Sequence, residues 1–173
     1  MKVSKAISER RSVRKFKSDP VSEEDLNKIL EAARWAPSAG NAQPVELVVL
    51  KEKDQKEELV KASLGQAFLA EAPIDIVVCA NVPRTKKRYG ERGSEMYVYH
   101  DTAAAAQNIH LMALALGYGT CWVGAFDDEA VEEVINAPDN IEPHVIIPVG
   151  KPAESPNPPR KRSLDEIVHE DGF

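Results

Sequence analysis

The sequence predicts a single globular domain of interspersed helices and apolar strands, spanning residues 1–173 and ending in an arm over 151–173. Three observations carry that reading. At 173 residues with 43% hydrophobic content and no long biased tract, the chain is large enough for one buried core. The runs 45–51, 74–80 and 144–149 are apolar and rich in β-branched residues, as buried strands are. Between them lie stretches of helical period with recognisable caps.

Composition also excludes several classes. No apolar run is long enough to span a bilayer, and the charged N-terminus lacks the apolar region of a signal peptide, so a cytoplasmic protein without membrane contact is expected. Cys79 and Cys121 lie in separate apolar runs, without a CxxC, and read as buried small hydrophobes. His100, His110, His144 and His169 have no ligand-like spacing, so no metal is expected. A pI near 5.3 argues against general nucleic-acid affinity.

Residues 3–10 read as a first helix with Val3, Ala6 and Ile7 on one face, delivering Arg10, Arg11, Ser12 and Arg14 at its end. The first 17 residues hold seven basic groups and one acid, a local charge of +6 in a chain of net charge -6. Guanidinium forks and a nearby hydroxyl suit a phosphomonoester. The same run also suits a solvated segment whose arginines pair with surface carboxylates, and the local residues alone favour that alternative.

Ser22 is the N-cap of the next helix, Glu23, Glu24 and Asp25 complement its dipole, and Leu26, Ile29, Leu30 and Ala33 form its apolar stripe until Pro37 stops it. Residues 36–44 form a loop of small residues in which Ser38, Asn41 and Gln43 offer donors and acceptors, suiting either a ligand or an ordinary turn. Helices follow over 54–63 and 65–71, the latter carrying Gln66 and Phe68. Residues 81–93, with Arg84, Lys86, Lys87, Arg88 and Arg92, read as a basic, mobile surface loop, a lid or simply solvated.

The segment 97–116 is apolar on nearly every face after Asp101, which predicts a buried helix or one packed on a second subunit. Residues 120–126 read as a strand ending at Gly124-Ala125, where backbone amides are accessible. Asp127 caps a helix over 128–136. After Gly150 the proline-rich 151–159 should run extended and deliver Arg160-Lys161-Arg162 and a short element at 164–168.

Four features stand in order: Arg-Arg-Ser-x-Arg, Pro-Ser-x-x-Asn-x-Gln-Pro, Gly-Tyr-Gly-Thr-Cys-Trp-Val-Gly-Ala-Phe, and Arg-Lys-Arg after a proline-rich arm. Together they resemble the flavin-dependent nitroreductase family, as a short member. The resemblance implies an α+β fold: a mixed, mostly antiparallel sheet flanked by helices, in an intertwined homodimer with one FMN in each of two interfacial sites. It implies that Arg10, Arg11, Ser12, Arg160 and Arg162 hold the phosphate and Arg14 approaches the pyrimidine. Pro37, Ser38, Asn41 and Gln43 would line the flavin from the other subunit, Gln66 and Phe68 would meet the pyrimidine edge, and Val123, Gly124 and Ala125 would cover one ring face. Hydride would pass from NAD(P)H to FMN and then to a nitroaromatic or quinone in a ping-pong order, with no catalytic side chain. Val45 and Gly124-Ala125 depart from common family residues near the acceptor pocket. They keep open a specialised flavin enzyme for dehalogenation or flavin breakdown. A non-enzymatic flavin sensor is a further alternative, and a nucleic-acid binder the weakest.

Overall fold

Four antiparallel strands run through the centre of the computed structural model, which describes residues 1–173. They are β1 (Val45–Leu50), β2 (Ile74–Asn81), β3 (Gly119–Thr120) and β4 (Ile141–Gly150), in the spatial order β1-β2-β4-β3. Val48 faces Val77, Val77 faces Ile146 and Thr120 faces Val149.

The strands alternate between two cores, because successive side chains leave a strand on opposite faces. Ile74, Ile76 and Val78 of β2 join Val145, Ile147 and Val149 of β4 in the first, beneath α2 (Glu23–Arg34) and α6 (Val98–Ala115). Val77, Cys79 and Ile146 face the second, which is covered by α3 (Lys53–Ala62), α4 (Phe68–Glu71) and α7 (Asp128–Ile135). Both cysteines are free and buried, as their surroundings foretold. Asp75 is fully buried without a hydrogen-bond partner, and burial pushes its carboxyl well up despite the nearby Lys56.

Both capping expectations hold: the Ser22 side chain accepts from the Asp25 amide at 3.1 Å, and Asp127 Oδ1 accepts from the Ala130 amide at 3.0 Å. Several other expectations change. In α1 (Val3–Glu9) only Ala6 is buried, while Val3 and Ile7 face outward. Strand β1 is an edge strand, and every residue but Leu50 is half-exposed. On α6, one side is buried through Val98, Asp101, Thr102, Ala105, Ala106, Ile109, His110 and Ala113, but Ala103, Ala104, Leu111, Met112 and Leu114 are only partly covered. The strand foreseen over 120–126 is shorter, comprising β3 and an isolated bridge from Val123 to Ile146.

The largest change concerns 81–93. It is a helix, α5 (Val82–Arg92), joined through a π-turn at Gly93–Tyr97 to α6. Thr85 is buried and Val82 and Tyr89 are half-buried, so one face packs inward, and Gly90 at φ 58° kinks the end. A side chain at Gly93 would stand 2.6 Å from the Thr85 carbonyl oxygen, so this close crossing requires glycine. No helix is long and apolar enough to cross a membrane. Beyond 157 the chain is exposed throughout, with one 3₁₀ turn at Leu164–Glu166.

Candidate functional site

The arginine run is held in place by backbone. Helix α1 ends at Arg10, whose extended ψ of 130° turns the chain out of the helix and alongside β3. Ser12 pairs in parallel with Thr120, and the Val13 amide donates to the Thr120 carbonyl at 2.9 Å. The other side is secured by the start of the arm. Lys17 donates to the Lys151 carbonyl and Ala153 to the Lys15 carbonyl, each at 2.9 Å, and Glu154 Oε1 accepts from the Arg14 amide at 2.6 Å.

Three of its functional groups converge beside Cys121. Burial pushes that thiol up, while the Arg14 guanidinium, the Ser12 hydroxyl and the Arg10 guanidinium pull it back. Arg10 also lies near His110, a buried imidazole whose Nδ1 is 2.7 Å from the Thr120 hydroxyl and whose Nε2 has no partner. Arg11 folds back, donating from Nη1 to the Ser8 and Arg10 carbonyls at 2.8 Å each. None of these arginines forms an ion pair with a carboxylate; Glu9 pairs with Lys5 instead. The carboxylate-paired surface segment is therefore not what forms.

From Thr120 the chain continues into the Val123-Gly124-Ala125 turn. Val123 exchanges two backbone bonds with Ile146, at 3.0 and 2.9 Å, and Gly124 and Ala125 are exposed. Gln66 pins this turn by donating to the Ala125 carbonyl at 2.9 Å. Phe68 is half-buried and packs against the margin of the second core. One edge of the molecule thus gathers Arg10, Ser12, Arg14, Gln66 and 123–125.

The second polar group is the 36–44 loop. Asn41 at φ 55° and Gln43 at φ 51° follow Gly40 at φ 50°, a left-handed sequence that costs free energy unless its surroundings impose it. They do so through four bonds. Ser38 Oγ accepts from the Gln43 amide and Asp101 Oδ1 from the Ala39 amide, both at 2.9 Å. Arg84 Nε donates to the Ala42 carbonyl at 3.1 Å and Arg88 Nη1 to the Gly40 carbonyl at 2.6 Å. A side chain on Gly40 would run into the Tyr89 hydroxyl. Pro37, Ser38, Gln43, Val45 and Arg84 line an open cleft of about 940 Å³ between α2 and β1. Asp101, Arg84 and Arg88 were not foreseen in this role.

The two groups meet α6 at the two margins of its buried side. The loop hangs from Asp101 and the arginines approach His110, nine residues later. That interval is about 14 Å along the axis and half a turn around it. Arg160 and Arg162 join neither group: both are exposed, and Arg162 donates to the Glu166 carbonyl in its own turn. No group of three or more His, Cys, Asp or Glu side chains is placed to hold a metal ion.

Sheet and helical layers define a small α+β protein whose polar surface has two parts, a basic edge and a loop of left-handed residues. The chain belongs to the nitroreductase family, whose model matches residues 7–68 and 61–151. Over 154 residues it is 36% identical to a protein of Archaeoglobus fulgidus provisionally named NADH dehydrogenase/NAD(P)H nitroreductase, covering 87% of this chain and 85% of that one. It is 26% identical to an FMN reductase (NAD(P)H) of Bacillus subtilis, over 99% of this chain and 74% of that one. Nitroreductase A of Vibrio parahaemolyticus shares the fold with a TM-score of 0.91 at 25% identity, over 100% of this chain and 77% of that one.

Proposed function

We propose that the protein is an FMN-dependent NAD(P)H oxidoreductase that reduces nitroaromatic, quinone or similar acceptors in ping-pong order. The observation that carries this reading is the grouping of Arg10, Arg14 and Ser12 around Cys121, two residues before the exposed 123–125 turn, where the Glu154 carboxylate bonds the Arg14 amide and is ion-paired to neither guanidinium. This donor set fits a flavin mononucleotide: Arg10 and the Ser12 hydroxyl for its phosphate and a second cation, Arg14, for its ring, held by backbone pairing to β3 and the arm. The adjoining turn lacks bulk at Gly124 and Ala125 and so leaves room for a flat ring. FMN bound there supplies a two-electron carrier between NAD(P)H and the acceptor.

The residues of this chain bind, orient and stabilise. Arg10 and Ser12 hold the phosphate, joined by Arg11 through the donors it does not spend on the Ser8 and Arg10 carbonyls; Arg14 places positive charge by the pyrimidine, favouring the reduced anionic ring. Gln66 fixes the 123–125 turn through Ala125. Pro37, Ser38, Asn41 and Gln43 line the ring from a second copy, because within one chain α6 separates the loop from the basic edge. The partly covered faces of β1 and α6 and the exposed Val3, Ile7 and Trp35 supply apolar area for that intertwined homodimer. The arm of residues 151–173 reaches the partner and brings Arg160 and Arg162 to a phosphate.

The test is an absorption spectrum of the purified protein followed by anaerobic NADH or NADPH. A yellow protein whose flavin bands bleach is the expected result. A colourless protein that does not take up added FMN overturns the proposal, and bound flavin that fails to bleach removes the reductase activity.

A further inference from the structure

Helix α5 carries Arg84, Lys86, Lys87, Arg88 and Arg92. Arg84, Lys87 and Arg88 stand at i, i+3 and i+4, so they form one exposed stripe beside the inward-facing Thr85 and Tyr89, with the Arg88 guanidinium 5.6 Å over the Tyr89 ring. None of the five makes an ion pair, in a chain with 28 acidic and 22 basic residues. The acids in this region are Glu91 on the same helix, Asp139 and Glu142, which share a depression with Lys86 and Lys87, and Glu24, Glu31 and Glu46, which line the large cleft with Arg84. Unneutralised positive charge concentrated in this way on an acidic protein is complementary to an anion.

Two of the three cations are already oriented. Arg84 and Arg88 each spend one N–H on a carbonyl of the 40–42 backbone, which fixes the guanidinium and leaves its remaining donors for an anion. Arg84 also lines the large cleft with Ser38 and Gln43. The stripe is therefore rigidly coupled to the loop that lines the flavin under the reading above, on which this inference rests. A nicotinamide brought to that flavin carries its phosphates on a flexible tether, within reach of neighbouring surface.

We infer that Arg84, Lys87 and Arg88 form a subsite for a phosphate of the dinucleotide reductant. The pyrophosphate of either nicotinamide dinucleotide and the 2′-phosphate of NADPH offer the same chemistry, and the test separates them.

Lys87 is the clean probe because it makes no bond to the loop, so the charge reversal Lys87→Glu is compared with wild type in FMN-loaded protein. Apparent dissociation constants for NADPH and NADH come from anaerobic flavin bleaching. Adenosine 2′,5′-bisphosphate binding is measured by calorimetry, and FMN affinity by fluorescence reports separately on the loop. A weakening of about tenfold for NADPH and the bisphosphate but not NADH assigns the 2′-phosphate. A weakening of both dinucleotides by a similar factor assigns the pyrophosphate. Unchanged binding of all three ligands in Lys87→Glu and in the Arg84→Gln/Lys87→Glu double variant overturns the subsite. If neither nicotinamide bleaches wild-type flavin, the proposed activity fails while calorimetry still decides the subsite: bisphosphate binding lost in Lys87→Glu supports it, and binding absent or unchanged counts against it.

Discussion

His110 shows how far a single side chain is governed by its surroundings. Burial, and secondarily the Arg10 charge, lower its pKa from 6.5 to about 4, so the folded protein keeps the ring neutral against Thr120. Between those two values the unfolded chain binds the proton and the folded chain does not. Stability therefore rises with pH across the window and is lost as pH falls through it. Denaturant unfolding should show about 2 kcal/mol less stability at pH 5 than at pH 7 from this group, and His110→Phe should lack that component. Equal pH slopes in the two proteins would contradict a neutral buried ring. For Arg10 the consequence is in binding: Arg10→Ala should weaken FMN by about 1–3 kcal/mol in a fluorescence titration, through loss of charge-assisted bonds. Unchanged FMN affinity would remove Arg10 from the phosphate grip. The arginine run was visible in the sequence as segregated charge. That Arg11 turns back onto its own helix end was not, because nothing local to Arg11 distinguishes the two directions.

At the level of elements, α5 and the 36–44 loop act as one unit. Arg88→Ala removes a charged donor from the Gly40 carbonyl, and Gly40→Ala adds a methyl group against Tyr89 at a left-handed φ of 50°. Each should cost about 1–2 kcal/mol of loop order. The Asn41 and Gln43 amides, now bonded to the Ser38 carbonyl and hydroxyl, should then exchange hydrogen faster. Unaltered exchange in both variants would show that the loop holds its shape unaided. The helix was legible in principle: Val82, Thr85 and Tyr89 repeat at i, i+3 and i+7, and Pro83 suits a first turn. Five basic residues and Gly90 masked that period. Conversely, the Ser22 and Asp127 caps were legible because a cap acts within four residues. The Asp101 bond to the Ala39 amide spans 62 positions and leaves no local trace.

For the whole molecule, β2 and β4 were legible as apolar runs, but the single core expected from the sequence is in fact two, one on each face of the sheet. The separation of the two polar groups along α6 was invisible, since it depends on where each packs. If each site takes its basic edge from one copy and its loop from the other, damage to different halves is complementary. An Arg10→Ala protein and an Asn41→Ala protein, each poor in FMN, should recover binding when unfolded together and reassembled. Random pairing at equal amounts gives about a quarter of sites with both halves intact. Flavin fluorescence quenching measures that fraction, and no recovery would place both halves of the site in one chain.

The bare C-terminal segment would give such an assembly a built-in gauge. Arg160, Lys161 and Arg162 follow one another in a stretch that no other part of its own chain covers. A subunit on its own therefore offers trypsin an open substrate, whereas a subunit whose tail lies along its neighbour does not. Nicking should slow as protein concentration rises, and the concentration at half-maximal protection would read out the strength of association without any label.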